Sequence, residues 1–380
     1  MTDRDYMERA IHLAERGRGW TNPNPLVGAV IVKNGRIIGE GWHARCGGPH
    51  AERNAIRSLK ESAEGATLYV TLEPCCHYGR TPPCTEAILE QKISRVVIGS
   101  RDPNPQVAGK GVSVLRRAGI QVEEDFMREE CGRLNPVFFH FMAERTPYVV
   151  MKYAMTADGK ISTRTGASKW ITGEAARQKV QELRWNSMGI MAGIGTVLAD
   201  DPLLTVREAG RRNPIRIICD SRLRLPLDSR ICRTAREYPV IVACAAKALK
   251  QDAGCAERKR HLEAKGVRIL PVPGPSCQVN LRKLMELLGK ENIDSILLEG
   301  GGTLTGAALQ AGIVKEVKSF LAPKIFGGGG KSPVEGTGAA FPCQAAALEM
   351  TEISRIGPDL MISWKVVNSA GKEQICLQES

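Results

Sequence analysis

The sequence lacks any apolar run approaching the roughly 20 residues that a membrane-spanning helix requires. It also lacks the features of a signal peptide, because its first residues, MTDRDYMERAIHLAERG, have the charges and spacing of an amphipathic helix. Its 12 cysteines do not resemble a secreted disulfide framework, since only Cys75, Cys76 and Cys84 lie close together in the sequence and the others are scattered. We therefore expect a cytoplasmic protein with reduced thiols, some of them bound to metal.

Length and composition predict more than one folded domain. The chain has 380 residues, whereas a domain usually has roughly 100 to 200. Hydrophobic residues make up 43% and charged residues 25%, which is close to the average for globular proteins. These values exclude a disordered or fibrous chain and favour two domains, each with its own core.

The positive charge is distributed unevenly. Residues 1–145 contain 20 basic and 18 acidic residues, and residues 146–380 contain the remaining 33 and 23. An enzyme that acts on nucleic acid is expected to carry a basic stripe around its site. Because the first half is nearly neutral, we expect no nucleic-acid partner, and we expect no membrane partner.

Strand and helix patterns alternate in both halves and predict an α/β fold. In the first half, apolar runs flank Asn34-Gly35, which is a strong signal for a hairpin turn. The later alternation predicts a sheet covered by helices on both faces. A polar, proline-bearing stretch at 143–147 interrupts the pattern before a new strand begins. We therefore place one domain at 1–145 and a second at 146–380.

Three residues of the first half form a candidate zinc site. His50 opens a predicted helix, and a predicted buried strand leads to Cys75 and then Cys84 at the next helix start. Catalytic zinc takes three nitrogen or sulfur ligands and keeps a water in the fourth position. Helix starts also favour anionic thiolate and hydroxide. His50, Cys75 and Cys84 supply three suitable ligands.

Glu52 gives this constellation a catalytic interpretation. It lies two residues from His50, so it can reach a water on the metal without binding the metal itself. In nucleobase deaminases, zinc lowers the pKa of that water and the glutamate carries its proton to the ring and to the departing ammonia. The alternatives are a structural zinc knuckle or simply buried cysteines. We expect Cys76 to be a packed residue and His77 a loop or pocket residue, because a fourth ligand would displace the water.

The spacing of the two cysteine ligands restricts the choice among deaminase families. Eight residues separate Cys75 from Cys84, whereas the general deaminase motif P-C-x-x-C has two. The strings PCCHYGRTPPC and TNPNPLVGAVIV resemble the deaminase domain of the RibD family of bifunctional riboflavin biosynthesis enzymes. This resemblance implies a cytidine deaminase-like three-layer αβα domain with Glu52 as catalytic residue. It also implies that Asn24 contacts the substrate and that His43 and Arg80 hold its ribose phosphate; a turn-forming asparagine and a solvated arginine are the alternatives.

A glycine cluster in the second half lies between a predicted buried strand, SILLEGG, and a predicted helix. Gly300, Gly302 and Gly306 do not match the G-x-G-x-x-G motif, because position 305 is threonine. However, YAMTADGKI, ASKWIT, GIGTVLADDPLLTVR, IICDSR and LLEGGGTLTG occur in the order seen in the RibD reductase domain. The resemblance therefore spans Asp5 to Met361 and implies a dihydrofolate reductase-like fold for the second half.

The resemblance also assigns residues to the reductase site. The implied NADP contacts are Ala154, Trp170, Thr196, Asp200, Ser221, Gly301, Gly302, Thr303, Leu304, Thr305, Gly306 and Ala307. The implied substrate contacts are Ser168, Arg184, Leu204, Arg207 and Glu299.

Chemistry supports part of this assignment. Arg184 and Arg207 suit bidentate phosphate recognition, and Ser221-Arg222 follows a strand where it could take the 2′-phosphate of NADPH. Trp170 is alternatively a core aromatic. Lys152 is a candidate proton donor or phosphate contact, or alternatively a solvated lysine on a strand edge.

The resemblance implies two successive reactions. Zinc-dependent hydrolytic deamination of 2,5-diamino-6-(5-phosphoribosylamino)pyrimidin-4(3H)-one is followed by NADPH reduction of the ribosyl group of 5-amino-6-(5-phosphoribosylamino)uracil to ribityl. The cofactors would be one Zn²⁺ per chain and NADPH, and we expect a homo-oligomer. Two alternatives remain: a nucleic-acid editing deaminase similar to the tRNA adenosine deaminases, and a nonenzymatic zinc-stabilised binding module in which Glu52 would have no role.

Overall fold

A computed structural model describes residues 1–78, 82–104 and 107–367. The chain divides into two compact units, Met1–Arg145 and Thr146–Ser380. Within the described ranges, we find no helix with both the length and the apolar character needed to cross a membrane.

The first unit consists of one sheet and the helices that cover it. Its strands are β1 (Gly28–Lys33), β2 (Arg36–Trp42), β3 (Thr67–Leu72), β4 (Arg95–Ser100) and β5 (Gln121–Glu123). Its helices are α1 (Asp3–Glu15), α2 (Ala51–Arg57), α3 (Cys84–Glu90), α4 (Lys110–Arg117), α5 (Arg128–Arg133) and α6 (Pro136–Glu144).

The strands of this sheet lie in the order β2-β1-β3-β4-β5. β1 is antiparallel to both its neighbours, and β3, β4 and β5 are parallel to one another. The predicted hairpin is confirmed, and Asn34 and Gly35 adopt φ values of 51° and 73° at its turn. Asparagine and glycine tolerate this left-handed backbone better than other residues.

Side chains alternate along β1 and form a core on each face of the sheet. Ala29 and Ile31 pack with residues of α2, α3 and α4. Val30 and Val32 pack on the opposite face with residues of α1 and α5. The predicted three-layer arrangement is therefore present, and it places the start of α2 and the start of α3 on the same face of the sheet.

The second unit also contains one sheet. Its strands are β6 (Tyr148–Thr156), β7 (Gly189–Gly193), β8 (Ile215–Cys219), β9 (Val240–Ala245), β10 (Arg268–Val272), β11 (Ser295–Leu298), β12 (Val314–Ala322), β13 (Ala347–Ile356) and β14 (Asp359–Val367). Its helices are α7 (Glu174–Asn186), α8 (Ile194–Asp200), α9 (Arg230–Arg233), α10 (Ala246–Gln251), α11 (Ala253–Ala264), α12 (Leu281–Lys290) and α13 (Gly302–Gln310), with a short 3₁₀ turn at Pro342–Gln344.

The strand order is β10-β9-β8-β7-β11-β6-β12-β14-β13. The pairs from β10 to β12 are parallel, and the last two pairs are antiparallel. Helices pack on both faces, since α12 and α13 contribute to one core cluster, and α8, α9 and α11 to another. The carboxyl ends of parallel strands meet at one edge of a sheet, which is where α/β proteins usually bind ligands.

Candidate active sites

The structure brings His50, Cys75 and Cys84 together. His50 is the residue before α2, and Cys84 is the first residue of α3. The Nδ1 atom of His50 lies 3.4 Å from the Sγ atom of Cys75 and 3.4 Å from that of Cys84. The three ligand atoms all lie within 4.8 Å of one another. One nitrogen and two sulfur atoms at this separation fit a single zinc ion.

The electrostatics of these residues suit metal binding. Hydrogen bonds from Cys84 and His50 lower the pKa of the Cys75 thiol to about 4, although burial opposes this change. The hydrogen bond between His50 and Cys75 raises the pKa of His50, and a separate hydrogen bond between Cys84 and Cys75, together with burial, raises the pKa of Cys84. One thiol of the pair therefore ionises readily, and thiolate is the form that binds metal.

Glu52 lies in the first turn of α2, next to these ligands. Its side chain is 3% exposed and is hydrogen-bonded to Cys84. Burial raises the pKa of its carboxyl, although the charge of His50 opposes this effect. Among the described residues, the group able to hold a metal comprises His50, Cys75 and Cys84, and includes neither Cys76 nor His77. Glu52 is thus placed beside the ligands without belonging to them.

Asn24 and His43 form a pair near the metal ligands. The ring of His43 lies 5.5 Å from that of His50, centroid to centroid. Its Nδ1 is 3.0 Å from the Pro49 carbonyl oxygen, so Nδ1 carries the proton and Nε2 accepts from the Asn24 amide at 3.2 Å. Burial lowers the pKa of His43. Both ring nitrogens of His43 thus have a partner, Nδ1 in the Pro49 carbonyl and Nε2 in the Asn24 amide. Arg80 lies outside the described residues.

The second unit contains a cavity of about 620 Å³ at the carboxyl ends of β7, β8 and β11. Many of the residues assigned from the sequence line it. They are Ser168, Thr196, Asp200, Ser221, Gly301, Gly302, Thr303, Leu304 and Ala307. Ser168 was assigned to the substrate, yet it shares this cavity with the residues assigned to the cofactor. The volume suits a dinucleotide-sized ligand.

The start of α13 offers hydrogen-bond donors to this cavity. α13 begins at Gly302, after the extended Gly301. In the described part of the chain, the amide N–H groups of Gly301, Gly302 and Thr303 have no hydrogen-bond acceptor. Unpaired amides at a helix start favour phosphate groups. The cavity therefore fits the pyrophosphate of a nicotinamide dinucleotide.

Four residues assigned to the cofactor do not line this cavity. Trp170 is 57% exposed, which excludes the core-aromatic alternative, and the Arg177 guanidinium lies 4.6 Å from its ring centroid. Ala154 packs instead with the apolar cluster that includes Phe320 and Met361. The remaining two, Thr305 and Gly306, lie on α13.

Thr305 and Gly306 contact a distant segment, 331–335. The Thr305 hydroxyl donates to the Pro333 carbonyl at 2.5 Å. A β-carbon added at Gly306 would lie 1.8 Å from the carbonyl oxygen of Glu335, so no larger residue fits there. The close approach of this segment to α13 accounts for the small residue at 306 and for the hydroxyl at 305.

A largely buried group of charged side chains lies at the carboxyl end of β11. It comprises Arg184, Glu299 and Lys152. Arg184 donates to both carboxylate oxygens of Glu299, at 2.7 and 3.0 Å, and to the Thr205 carbonyl at 2.9 Å. The Nζ atom of Lys152 lies 3.9 Å from Glu299. The strand-edge interpretation of Lys152 is wrong, because β6 lies between β11 and β12 and the side chain is 16% exposed. Glu299 and the Thr205 carbonyl take three of the five N–H groups of Arg184, so one on Nη1 and one on Nη2 are left for the phosphate contact expected from the sequence.

Leu204 and Arg207 lie in the segment held by Arg184. Leu204 adopts a φ of 55°, and its side chain is buried in the apolar cluster of α8 and α9. Only its backbone can therefore contact a substrate. Arg207 is exposed, and its amide donates to the Gln181 side chain at 3.0 Å.

Comparisons with known proteins identify the family. The RibD C-terminal domain model matches residues 147–362, and the cytidine and deoxycytidylate deaminase zinc-binding region matches residues 1–100. The chain is 51% identical to the riboflavin biosynthesis protein RibD of Actinobacillus pleuropneumoniae, with 97% of this chain and 96% of that one covered. It is 42% identical to RibD of Escherichia coli, with 95% and 99% covered.

Solved structures agree with this result. RibD of Acinetobacter baumannii superposes with a TM-score of 0.85 at 38% identity, covering 96% of this chain and 99% of that one. A structure from Thermotoga maritima, described as a diaminohydroxyphosphoribosylaminopyrimidine deaminase and 5-amino-6-(5-phosphoribosylamino)uracil reductase, gives 0.83 at 38% identity, with 96% and 98% covered.

The chain belongs to the RibD family.

Family membership confirms several predictions. The fold class, the bifunctional deaminase and reductase of riboflavin biosynthesis, and the use of Zn²⁺ and NADPH are those expected of the RibD family. The nucleic-acid editing deaminase and the nonenzymatic zinc module are not favoured, because each leaves the reductase region at 147–362 unexplained.

Four further residues of the RibD-type reductase cavity lie far apart in the chain and were not predicted from the sequence. Arg224, Gln278, Lys331 and Glu335 all line it, whereas Arg222 does not. For these four residues, the only sequence signal was the position of Arg224, three residues after the predicted cofactor contact Ser221. Nothing in the local sequence connects Lys331 and Glu335 to the glycine cluster.

Proposed function

We propose that residues 1–145 form a deaminase domain and residues 146–380 a reductase domain that act in succession on one phosphoribosylaminopyrimidine. The convergence of His50, Cys75 and Cys84 beside a buried Glu52 carries this proposal. The substrates are those named for the Thermotoga maritima relative: a diaminohydroxyphosphoribosylaminopyrimidine for the first step and 5-amino-6-(5-phosphoribosylamino)uracil for the second.

In the deaminase domain, His50, Cys75 and Cys84 would hold the zinc ion. Bound zinc lowers the pKa of water toward neutrality and so supplies a nucleophile. Glu52 accepts one proton from the attacking water and delivers it to the pyrimidine ring nitrogen. It then takes the second proton from the hydroxyl group added to the ring carbon and gives it to the leaving amino group, so the C–N bond breaks, a carbonyl forms and ammonia departs. Its buried position favours the neutral, proton-carrying form between these transfers.

Substrate binding in this domain falls to Asn24, His43 and Arg80. His43 holds the Asn24 amide in one orientation, so Asn24 can contact the pyrimidine. We assign the ribose phosphate to His43 and Arg80, with the positive charge supplied by Arg80.

In the reductase domain, the amides of Gly301, Gly302 and Thr303 would hold the pyrophosphate of NADPH, and Thr196, Asp200 and Ser221 line the remainder of the cavity. Bound NADPH supplies a hydride to C1′ of the ribose. Lys152 donates a proton to the ring oxygen as the sugar opens. Burial and the charge of Arg184 lower its pKa, although Glu299 opposes this effect, so Lys152 is a stronger acid than an exposed lysine.

The remaining assignments concern the substrate phosphate, the location and the assembly. Arg207 is exposed and binds the substrate phosphate in this domain.

We infer a cytoplasmic location, because the metal ligands require reduced thiols. We also infer a homo-oligomer in which a second copy covers β13, an edge strand whose Leu348, Met350 and Ile353 are 42%, 56% and 56% exposed.

One incubation tests the order of the two reactions. Purified zinc-loaded protein is mixed with the diaminopyrimidine phosphate, first without and then with NADPH. Without NADPH we expect one equivalent of ammonia and accumulation of the aminouracil. With NADPH we expect one equivalent of NADPH to be oxidised and a ribityl product to form. Oxidation of NADPH without prior release of ammonia would contradict the proposed order, and deamination of an adenosine in a tRNA hairpin would favour the alternative.

A further inference from the structure

The positions of the two cysteine ligands must be fixed relative to each other for both to bind one metal ion. Eight residues separate Cys75 from Cys84, whereas the general deaminase motif has two, and the entropic cost of bringing two residues together rises with the length of chain between them. A metal site has low affinity unless its ligands are held near their bound positions. The side chains that fix each end of this loop therefore determine how well the ligand set is preorganised.

Glu73 fixes the Cys75 end to α4. The residue is 4% exposed. One carboxylate oxygen accepts from the Gly109 amide at 3.0 Å, and the other accepts from the Gly111 amide at 3.1 Å and the Val112 amide at 3.4 Å. A β-carbon added at Gly111 would lie 2.2 Å from the Pro74 carbonyl oxygen, so the backbone before Cys75 rests directly on the first turn of α4.

Arg53 fixes the Cys84 end to α2. Its Nε donates to the Pro82 carbonyl at 3.2 Å, and its Nη2 donates to the Pro83 carbonyl at 2.9 Å. These two carbonyls immediately precede Cys84. Arg53 also follows Glu52 in α2, so it joins the second cysteine ligand to the helix that begins after His50.

We propose that Glu73 and Arg53 are positioning residues for the zinc site, each holding one cysteine ligand in place. This inference rests on the proposed role of His50, Cys75 and Cys84 as the zinc ligands. Neither residue binds the metal; each acts through the backbone next to a ligand.

The hydrogen-bonding chemistry of Glu73 and Arg53 determines which substitutions test their roles. In Glu73→Gln, an amide NH₂ replaces one acceptor oxygen and faces the N–H group of Gly109 or Gly111. In Arg53→Lys, a single ammonium replaces a planar fork that reaches two successive carbonyls, so one contact is lost. Arg53→Ala removes both. Glu73→Asp keeps the charge but shortens the reach, and it serves as a second variant if Glu73→Gln does not fold.

Matched controls separate positioning from general destabilisation. Arg57→Ala removes a positive charge one turn further along α2 from an exposed position. Ile31→Val creates a small cavity in the core of the same unit without altering the ligand loop. Both should leave the zinc site unchanged.

The first experiment measures the rate of zinc release to a chromogenic chelator from the purified full chain. We expect Glu73→Gln and Arg53→Ala to release zinc at least tenfold faster than the unsubstituted protein, Arg53→Lys to give an intermediate rate, and both controls to match the unsubstituted protein. Equal rates in all variants would overturn the proposal. Failure of the unsubstituted protein to bind zinc would instead refute the proposed ligand set.

The second experiment uses cobalt, whose visible spectrum reports ligand geometry. In the cobalt-substituted chain, Glu73→Gln and Arg53→Ala should change the intensity or position of the ligand-field bands, and the controls should not. A purely structural role would lower the thermal unfolding temperature of the variants and of Ile31→Val alike, with unchanged spectra and unchanged zinc release, and that result would also overturn the proposal.

Discussion

The Arg184 guanidinium and the Glu299 carboxylate meet edge to edge, with Nε 2.7 Å from Oε1 and Nη2 3.0 Å from Oε2. The Arg184 side chain is 13% exposed and that of Glu299 is 12% exposed. Burial alone would raise the pKa of Glu299, but the charges of Arg184 and Lys152 lower it to about 2. Glu299 is therefore ionised, and its negative charge lies between the positive charges of Arg184 and Lys152.

The first prediction concerns the stability of this pair. Glu299→Gln leaves a buried guanidinium without its counter-charge, so we expect the free energy of unfolding at pH 7 to fall by about 3 kcal/mol. Because the pKa of Glu299 is depressed, its contribution is present above its ordinary pKa of 4.5 and is lost as the pH falls toward 2. Chemical denaturation at pH 7 and pH 3 should show a smaller difference between the two proteins at pH 3. An equal difference at both values would contradict this assignment.

The second prediction concerns the pH dependence of the reductase. If Lys152 donates a proton, the rate of NADPH oxidation should decline as the pH rises through its lowered pKa. Glu299 raises the pKa of Lys152, so Glu299→Gln should move this alkaline decline to lower pH. The measurement is kcat against pH for both proteins, with ammonia release as the control. A decline at the same pH in both would show that Lys152 is not the donor.

Local patterns predicted the elements of the fold and the metal ligands better than the roles of individual residues. The hairpin at Asn34-Gly35 and the helix starts near His50 and Cys84 follow from residues close in sequence. The interior position of β6 does not, because its neighbours β11 and β12 begin more than 140 residues later. For the same reason, local sequence does not predict that Gly306 packs against Glu335, which lies 29 residues further along the chain.

The third prediction assigns cofactor discrimination to Arg224. Arg224 lines the reductase cavity beside Ser221, and its Nε lies 3.6 Å from the buried Asp220 carboxylate, which holds the side chain near the cavity. We expect it to bind the 2′-phosphate that distinguishes NADPH from NADH. Arg224→Ala should raise the KM for NADPH about tenfold or more and leave that for NADH nearly unchanged, since a hydrogen bond to a charged group contributes roughly 1.5–3 kcal/mol.

Arg222 provides a matched control for Arg224. It is exposed, it lies two residues away and it does not line the cavity. Arg222→Ala should therefore leave the ratio of the two KM values close to that of the unsubstituted protein. If both variants change the ratio equally, the effect comes from the overall positive charge of the loop and not from a contact by Arg224.

The fourth prediction concerns the phosphate of the reductase substrate. Glu299 balances the charge of Arg184, whereas no ion pair among the described residues includes the exposed Arg207, so we assign the main phosphate contact to Arg207. Arg207→Ala should raise the KM for the aminouracil phosphate by roughly 10- to 100-fold, as expected for the loss of a charged hydrogen bond. Ammonia release from the diaminopyrimidine should continue at the same rate. Loss of both activities together would contradict independent sites.

The fifth prediction isolates the proton transfer by Glu52. Glu52→Gln keeps the size and hydrogen-bonding shape of the side chain but removes the group that accepts and returns the proton. We expect ammonia release to fall by roughly 10²- to 10⁴-fold, the usual contribution of general acid–base catalysis. Zinc content should stay at one ion per chain, because His50, Cys75 and Cys84 are unchanged.

Two features make the result of Glu52→Gln interpretable. Burial disfavours the charged carboxyl, so the neutral glutamine should not weaken the fold. Reduction of separately supplied aminouracil phosphate by NADPH depends on the second unit and serves as an internal measure of intact protein. Metal analysis, an ammonia assay and NADPH oxidation on the same preparation test all three expectations, and unchanged ammonia release with zinc bound would show that another group carries the proton.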